Sequence, residues 1–171
     1  PIHSFIKLDA DERKIIDSRP FQRLRHIHQL AMTYLIYPGA THKRFEHSLG
    51  VMELATQIYD SITTRDKINL EILKFLPELN SYDRVSYWRR VLRVSALCHD
   101  LGHLPFSHAA EKELLPADWD HEALTVEIIR AKEISEICQL MTPPLRVEDV
   151  IKLAIGPKKL PNIVFSDWEI I

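Results

Sequence analysis

LCHDLGHLPFSH, residues 97–108, is the stretch on which the rest of the chain depends. Five of its twelve residues (His99, Asp100, His103, Ser107 and His108) carry side chains that bind a metal, move a proton or hold a phosphate. They stand at the end of an apolar helix. From Tyr82 or Asp83 onward, Tyr87, Val91, Val94, Cys98 and Leu101 recur at spacings of four and three, the stripe of a helix facing a core. Gly102 and Pro105 end that helix. Neighbouring side chains leave a helix about 100° apart, so at its terminus His99 and Asp100 can close on one ion from two directions. An imidazole nitrogen beside a carboxylate oxygen suits a borderline divalent ion such as Mn, Fe, Co, Ni or Zn.

The chain has 171 residues, 46% hydrophobic and 27% charged, enough for one globular domain with a real core. A net charge of -2 gives no global attraction to nucleic acid, so phosphate binding has to come from a local cluster. Cys98 and Cys138 form no CxxC pair, and Cys98 falls on the helix stripe. Both read as thiols in a reducing, cytoplasmic setting rather than as a disulfide. No apolar run reaches 18 residues and no basic-then-apolar leader opens the sequence, so neither membrane insertion nor export is expected.

Outward from the central stretch, residues 1–8 read as extended, and Asp9 caps a short helix through Ile15 and Ile16. Pro20 opens a second helix, in which Phe21, Leu24, His28, Ala31 and Leu35 follow a helical stripe. Arg23, Arg25 and His26 fall off that stripe, either as a solvated basic face or as ligand contacts. The β-branched and aromatic residues of TYLIYPGATH, 33–42, predict a short strand or extended segment that turns at Pro38-Gly39. His42, Lys43 and Arg44 then form a positive patch at a helix start, where free N–H groups favour an anion. Such a patch also occurs with no role beyond facing solvent.

The next helix, from Arg44 to about Ile62, carries Phe45, Leu49, Met52, Ala55, Tyr59 and Ile62 on one inward stripe and His47, Val51, Leu54 and Ile58 on its neighbour. His47 therefore points into apolar surroundings, as a hydrogen-bonded core histidine or as a ligand. Residues 63–81 mix charge with Leu and Ile, contain Pro77, and read as an insertion or mobile segment with a short helix over 70–76. Further on, Ser107 caps a helix over 108–115 and Asp120 caps another from His121 to about Ala131, continuing through a break to Gln139. A short helix over 147–154 follows Pro143-Pro144, and the last ten residues read as the start of one more. Few strand signals and many caps predict an all-α bundle of six to nine helices.

HKRFEHSLGV (42–51), CHDLGHLPFSH (98–108) and DHE (120–122), with FQRLRHIHQL (21–30) and YPGATH (37–42), together resemble the HD-domain phosphohydrolases, and among them the deoxynucleoside triphosphate triphosphohydrolases. The resemblance covers most of residues 1–130. It implies a divalent metal, of the ions named above or Mg, held by His47, His99 and Asp100 with a further aspartate downstream. It implies that His103, His108 and His121 line the scissile phosphate and serve water activation, proton transfer or charge stabilisation. It implies that Arg44 holds phosphate and that Gln29 and Leu30 meet the deoxyribose of a nucleotide substrate. Oligomerisation, as a homo-oligomer, is an expectation of the resemblance alone.

The chemistry of the residues agrees. Phosphate-ester hydrolysis needs water made nucleophilic near neutral pH and positive groups where charge gathers on phosphate. Histidine is the side chain that changes protonation near pH 7. Each histidine also has a plainer role open to it: His103 as a helix-end hydrogen-bonding group, His121 as a first-turn surface residue. One element departs from the resemblance. A downstream motif of the form D-R-x-D-Y is missing, and Asp167 stands in a different context. The expectation is a chain truncated before the fourth ligand. Two alternatives to a dNTP hydrolase stay open: hydrolysis of another phosphoester, such as a nucleoside monophosphate or cyclic nucleotide, and a non-catalytic nucleotide-binding regulatory module.

Overall fold

The structure is a computed structural model, and it describes residues 5–64, 68, 70–160, 162–166 and 169, the Glu78 side chain excepted. Asp9 begins the first helix, α1 (Ala10–Asp17), as its sequence requires. Its carboxylate accepts from the amides of Asp11 and Glu12 at 2.9 and 2.8 Å, and Glu12 returns the favour to the Asp9 amide at 3.0 Å. α2 (Arg19–Arg23) follows with Pro20 in its first turn. The longest helices are α3 (Arg44–Thr63) and α5 (Tyr82–Cys98), separated by the short α4 (Leu70–Phe75). α6 (His108–Leu114), α7 (His121–Arg130), α8 (Lys132–Leu140) and α9 (Val147–Ile155) complete the described helices. The fold is all-α: the described residues contain no strand, only one isolated antiparallel bridge between His28 and Lys43.

α3 packs along α5, and α9 covers α5 from another side. Val91, Val94, Leu97, Cys98 and Leu101 of the anticipated stripe are fully buried, with Phe21, Leu24, Met52, Ile129, Ile134 and Ile151 around them. Burying a side chain of this kind is worth about 1.5–3 kcal/mol, so this apolar seam holds the end of α5 in place. Polar ties set the register. Tyr59 of α3 donates to the Val85 carbonyl at 2.8 Å, and Tyr87 and Ser95 of α5 donate to Asp149 and to the Val150 carbonyl of α9 at 2.7 and 2.9 Å. Arg93, inward on α5, grips the buried Glu12 carboxylate of α1, donates to Thr56 of α3 at 2.8 Å and reaches the Lys7 carbonyl at 2.8 Å.

Four local expectations are corrected. The second helix does not run to Leu35: after a 3-10 turn over Leu24–His26 the backbone extends at Ile27, and Ala31 takes φ 47°. The reason is tertiary. Ile27 and Gln29 pair with the start of α3 (Arg44 amide to Ile27 carbonyl 2.9 Å, Gln29 amide to His42 carbonyl 3.0 Å), which a helix cannot allow. TYLIYPGATH is likewise no strand, since its chain closes on itself through a 3-10 turn over Thr33–Leu35 and the bond from Tyr37 N–H to the Thr33 carbonyl at 2.9 Å. Leu54, Ile58 and Ile62 are 53%, 56% and 48% exposed, because α3 needs only one stripe to meet α5. Ser107 precedes α6 without capping it; its hydroxyl is turned inward instead. Of the 63–81 segment, residues 65–67 and 69 lie outside the described residues, as do Asp167 and most of the anticipated final helix.

Candidate metal centre

The turn that follows α5 brings the two polar blocks together. His47 projects from the second turn of α3, whereas His99 and Asp100 leave the end of α5. One donor atom from each of the three lies within 4.8 Å of the others. The His99 Nδ1 is 2.7 Å from the Ala96 carbonyl. A carbonyl only accepts, so Nδ1 carries the proton and Nε2 keeps its lone pair for a ligand. The His47 and His99 rings meet edge to face, with centroids 5.3 Å apart. Burial lowers the His47 pKa, against the pull of Asp100, and so favours the neutral form that binds metal.

Asp100 is the hub. It is 6% exposed, and its Oδ2 accepts from Arg44 Nη1 at 2.6 Å. Its Oδ1 lies 3.4 Å from Nε2 of both His99 and His103. Burial alone would raise the carboxyl pKa; the hydrogen bond from His103 and the charges of His99 and Arg44 outweigh it and hold the group well below the ordinary carboxylate range. Asp100 is therefore an anion throughout the physiological range. The anticipated basic patch is divided accordingly. Arg44 is buried between Asp100 and Ser107, whose Oγ accepts from Nη2 at 2.6 Å. His42 stays exposed, and the Lys43 amide donates to Glu46 at 2.6 Å.

Beside this trio sits a second histidine group. His103 and His121 stack with centroids 3.9 Å apart and 17° between planes, and the His108 ring stands edge-on, 5.4 and 5.0 Å from them. The Glu111 carboxylate, one turn into α6, serves all three. Glu111 escaped the sequence reading; its only signal was a position three residues after His108, on the same face of a helix start. Arg23, first read as a basic-face residue, is also structural: it donates to the His103 carbonyl at 2.7 Å and to the Leu101 carbonyl, and so pins the turn between the two groups.

α7 closes the other side of the turn. Asp120 caps it, accepting from the Ala123 amide at 2.8 Å, which fixes His121 in the first turn. The Gly102 amide donates to Thr125 Oγ1 at 2.9 Å, and a Cβ on Gly102 would stand 2.0 Å from the His121 carbonyl oxygen. Only glycine allows so close an approach. Gln29 reaches the vicinity through its pairing with His42, and its Oε1 is buried without a partner; Leu30 is 45% exposed. The donor set of His47, His99 and Asp100 fits a divalent cation: one fixed tautomer, one neutral imidazole and one permanent anion.

This constellation defines the class. Residues 44–156 match the family model of the HD domain, and the chain belongs to that family, the metal-dependent phosphohydrolase superfamily. Among its relatives, the deoxynucleoside triphosphate triphosphohydrolase SAMHD1 of Bos taurus is 39% identical over 179 aligned positions, covering 98% of this chain and 28% of that protein. An uncharacterized protein of Methanocaldococcus jannaschii is 46% identical over 110 residues, 64% of this chain and 19% of the relative. The crystal structure of a hypothetical protein from Aquifex aeolicus superposes with a TM-score of 0.66 at 33% identity, covering 91% of this chain and 36% of that one. The chain thus spans well under half the length of these relatives. Among the described residues no helix is long and apolar enough to cross a membrane.

Proposed function

We propose that this chain carries the catalytic core of a nucleotide phosphohydrolase whose substrate is a deoxynucleoside triphosphate, cleaved to deoxynucleoside and triphosphate. The observation that carries the reading is the adjacency of a three-donor metal group and a carboxylate-linked histidine group, joined through Asp100 and His103. The naming of the bovine relative as a dNTP triphosphohydrolase supports the choice of substrate.

In this reading His47, His99 and Asp100 hold a divalent cation, which when bound supplies a water acidic enough to attack phosphorus near pH 7. Arg44 keeps Asp100 oriented and places positive charge beside the incoming phosphate. His108, 69% exposed at its side chain, delivers a proton to the departing 5′ oxygen, while His103 and His121 serve the charge that builds on the phosphate. The unpartnered Gln29 Oε1 accepts from a sugar hydroxyl, and Leu30 packs on the deoxyribose.

The test is a product assay. The chain is incubated with Mn2+ and each of the four dNTPs, with dNMPs and cyclic nucleotides in parallel, and products are separated by anion exchange. Inorganic triphosphate from dNTPs, lost in Asp100→Asn, is the expected result. Cleavage confined to monophosphates or cyclic nucleotides would move the substrate to another phosphoester. Nucleotide binding that survives Asp100→Asn with no turnover in either protein would make the chain a binding module.

A further inference from the structure

The second histidine group contains a feature that hydrogen bonding within the protein does not satisfy. His103 is 3% exposed, yet its Nδ1 has no hydrogen-bond partner, and neither has the Glu111 Oε1 that it faces at 3.6 Å. The opposite nitrogen of the ring, Nε2, lies 3.4 Å from the ionised Asp100. A carboxylate in that position takes the N–H, which leaves Nδ1 as a lone pair. His121 repeats the pattern: its Nε2 lies 3.3 Å from the Glu122 carboxylate and its Nδ1 3.1 Å from Glu111 Oε1. Two lone pairs and a carboxylate therefore converge on one point, acceptor against acceptor. Their donor atoms lie within 4.8 Å of one another.

We infer that His103, Glu111 and His121 form a second cation site, selective for a borderline divalent ion such as Zn2+ or Co2+ and sharing the His103–Asp100 link with the first. Histidines that bind metal typically give their other N–H to a carboxylate, the arrangement that Asp100 and Glu122 provide. Two nitrogen donors and one carboxylate suit Zn and Co rather than Mg or Ca, which prefer all-oxygen surroundings. His108, whose Nδ1 is 3.1 Å from Glu111 Oε1, stands at the open edge of the group. The role of the second ion rests on the phosphohydrolase reading. There it is the positive charge that His103 and His121 bring to the phosphate, leaving His108 as the proton donor.

Stoichiometry tests it without reference to turnover. Metal-free chain is loaded with Co2+ or with Zn2+, freed of excess by gel filtration and measured by elemental analysis; the Co2+ form is also read by its visible absorption. Two ions per wild-type chain are expected, one in Glu111→Gln and one in the double variant His47→Gln/His99→Gln. His121→Gln gives a second route to the same loss should Glu111→Gln fail to fold by circular dichroism. A single ion in the wild type, kept in Glu111→Gln and His121→Gln but lost in His47→Gln/His99→Gln, overturns the second site and leaves the first intact. A single ion lost only in Glu111→Gln and His121→Gln keeps the second site and removes the metal basis of the proposed hydrolase. No bound ion in the wild type overturns both.

Discussion

Replacing Gly102 with alanine should be among the most damaging single-methyl changes the chain can suffer. The new Cβ would lie 2.0 Å from the His121 carbonyl oxygen, 2.5 Å from the Thr125 amide nitrogen and 2.7 Å from Thr125 Oγ1. Two of those three atoms are backbone, so no rotamer change relieves the clash. The turn and α7 must separate by roughly 1.4 Å to restore ordinary contact. Overpacking of a rigid contact costs about 1–3 kcal/mol, and losing the buried bond from Gly102 N–H to Thr125 adds about 1 kcal/mol. A loss of about 3 kcal/mol corresponds to a fall in Tm of about 6–12 °C for a domain of this size. Thermal unfolding followed by circular dichroism measures it directly. Gly102→Ala combined with Thr125→Ala should recover little, because the backbone clash remains. A fall of less than about 2 °C in the single variant would show that α7 is not pressed against this turn, and with it would go the account of how His121 is brought to His103.

Other outcomes follow from the same contacts. Arg93→Met leaves the Glu12 carboxylate, 2% exposed, without its cation, and should cost about 3–5 kcal/mol in urea unfolding; adding Glu12→Leu should restore much of it, and a cost under 1 kcal/mol for the single change would refute the role given to the pair. Burial works against ionisation of Asp120, but the Ala123 amide and Lys159 win, and its pKa is pushed down to about 2. A depressed carboxylate pKa gives stability that is complete above the unfolded value near 4 and lost as pH falls through about 2. Asp120→Ala should therefore cost about 1 kcal/mol at pH 6 as a lost helix cap and much less at pH 2, with equal costs at both pH values as the refuting result. Adding a divalent ion at about 100 times its Kd should raise Tm by about 5–10 °C through binding to the folded state alone, as scanning calorimetry would record, and His47→Gln/His99→Gln should reduce that rise. An unchanged rise in that variant would count against His47 and His99 as ligands.

Much of this protein was legible from local pattern. The Tyr87 to Leu101 stripe, the Asp9 and Asp120 caps and the stop at Gly102 are properties of short stretches, and helices obey short-range rules of period and capping. The pairing of HKRFEHSLGV with CHDLGHLPFSH came from resemblance, and the close approach of His47, His99 and Asp100 agrees with it. The failures lie where a distant partner overrides local preference. Residues 27–29 look helical, yet they extend because the start of α3 offers them backbone partners. Ser107 looks like a cap, yet Arg44 claims its hydroxyl.

By itself, then, the sequence determined the all-α class, most helix boundaries and the residue types at the centre, because each depends on neighbours within a turn or two. Only the tertiary structure decided that Arg44 is a buried partner of Asp100, that Arg93 joins three helices, and that Glu111 stands against His103, His108 and His121. Those facts depend on contacts between residues 8 to 81 positions apart, some beyond the reach of any periodicity. Glu111 shows the limit most clearly. Nothing in its local sequence separates it from the other glutamates of α6, and it becomes chemistry only where the fold turns two imidazole lone pairs toward it.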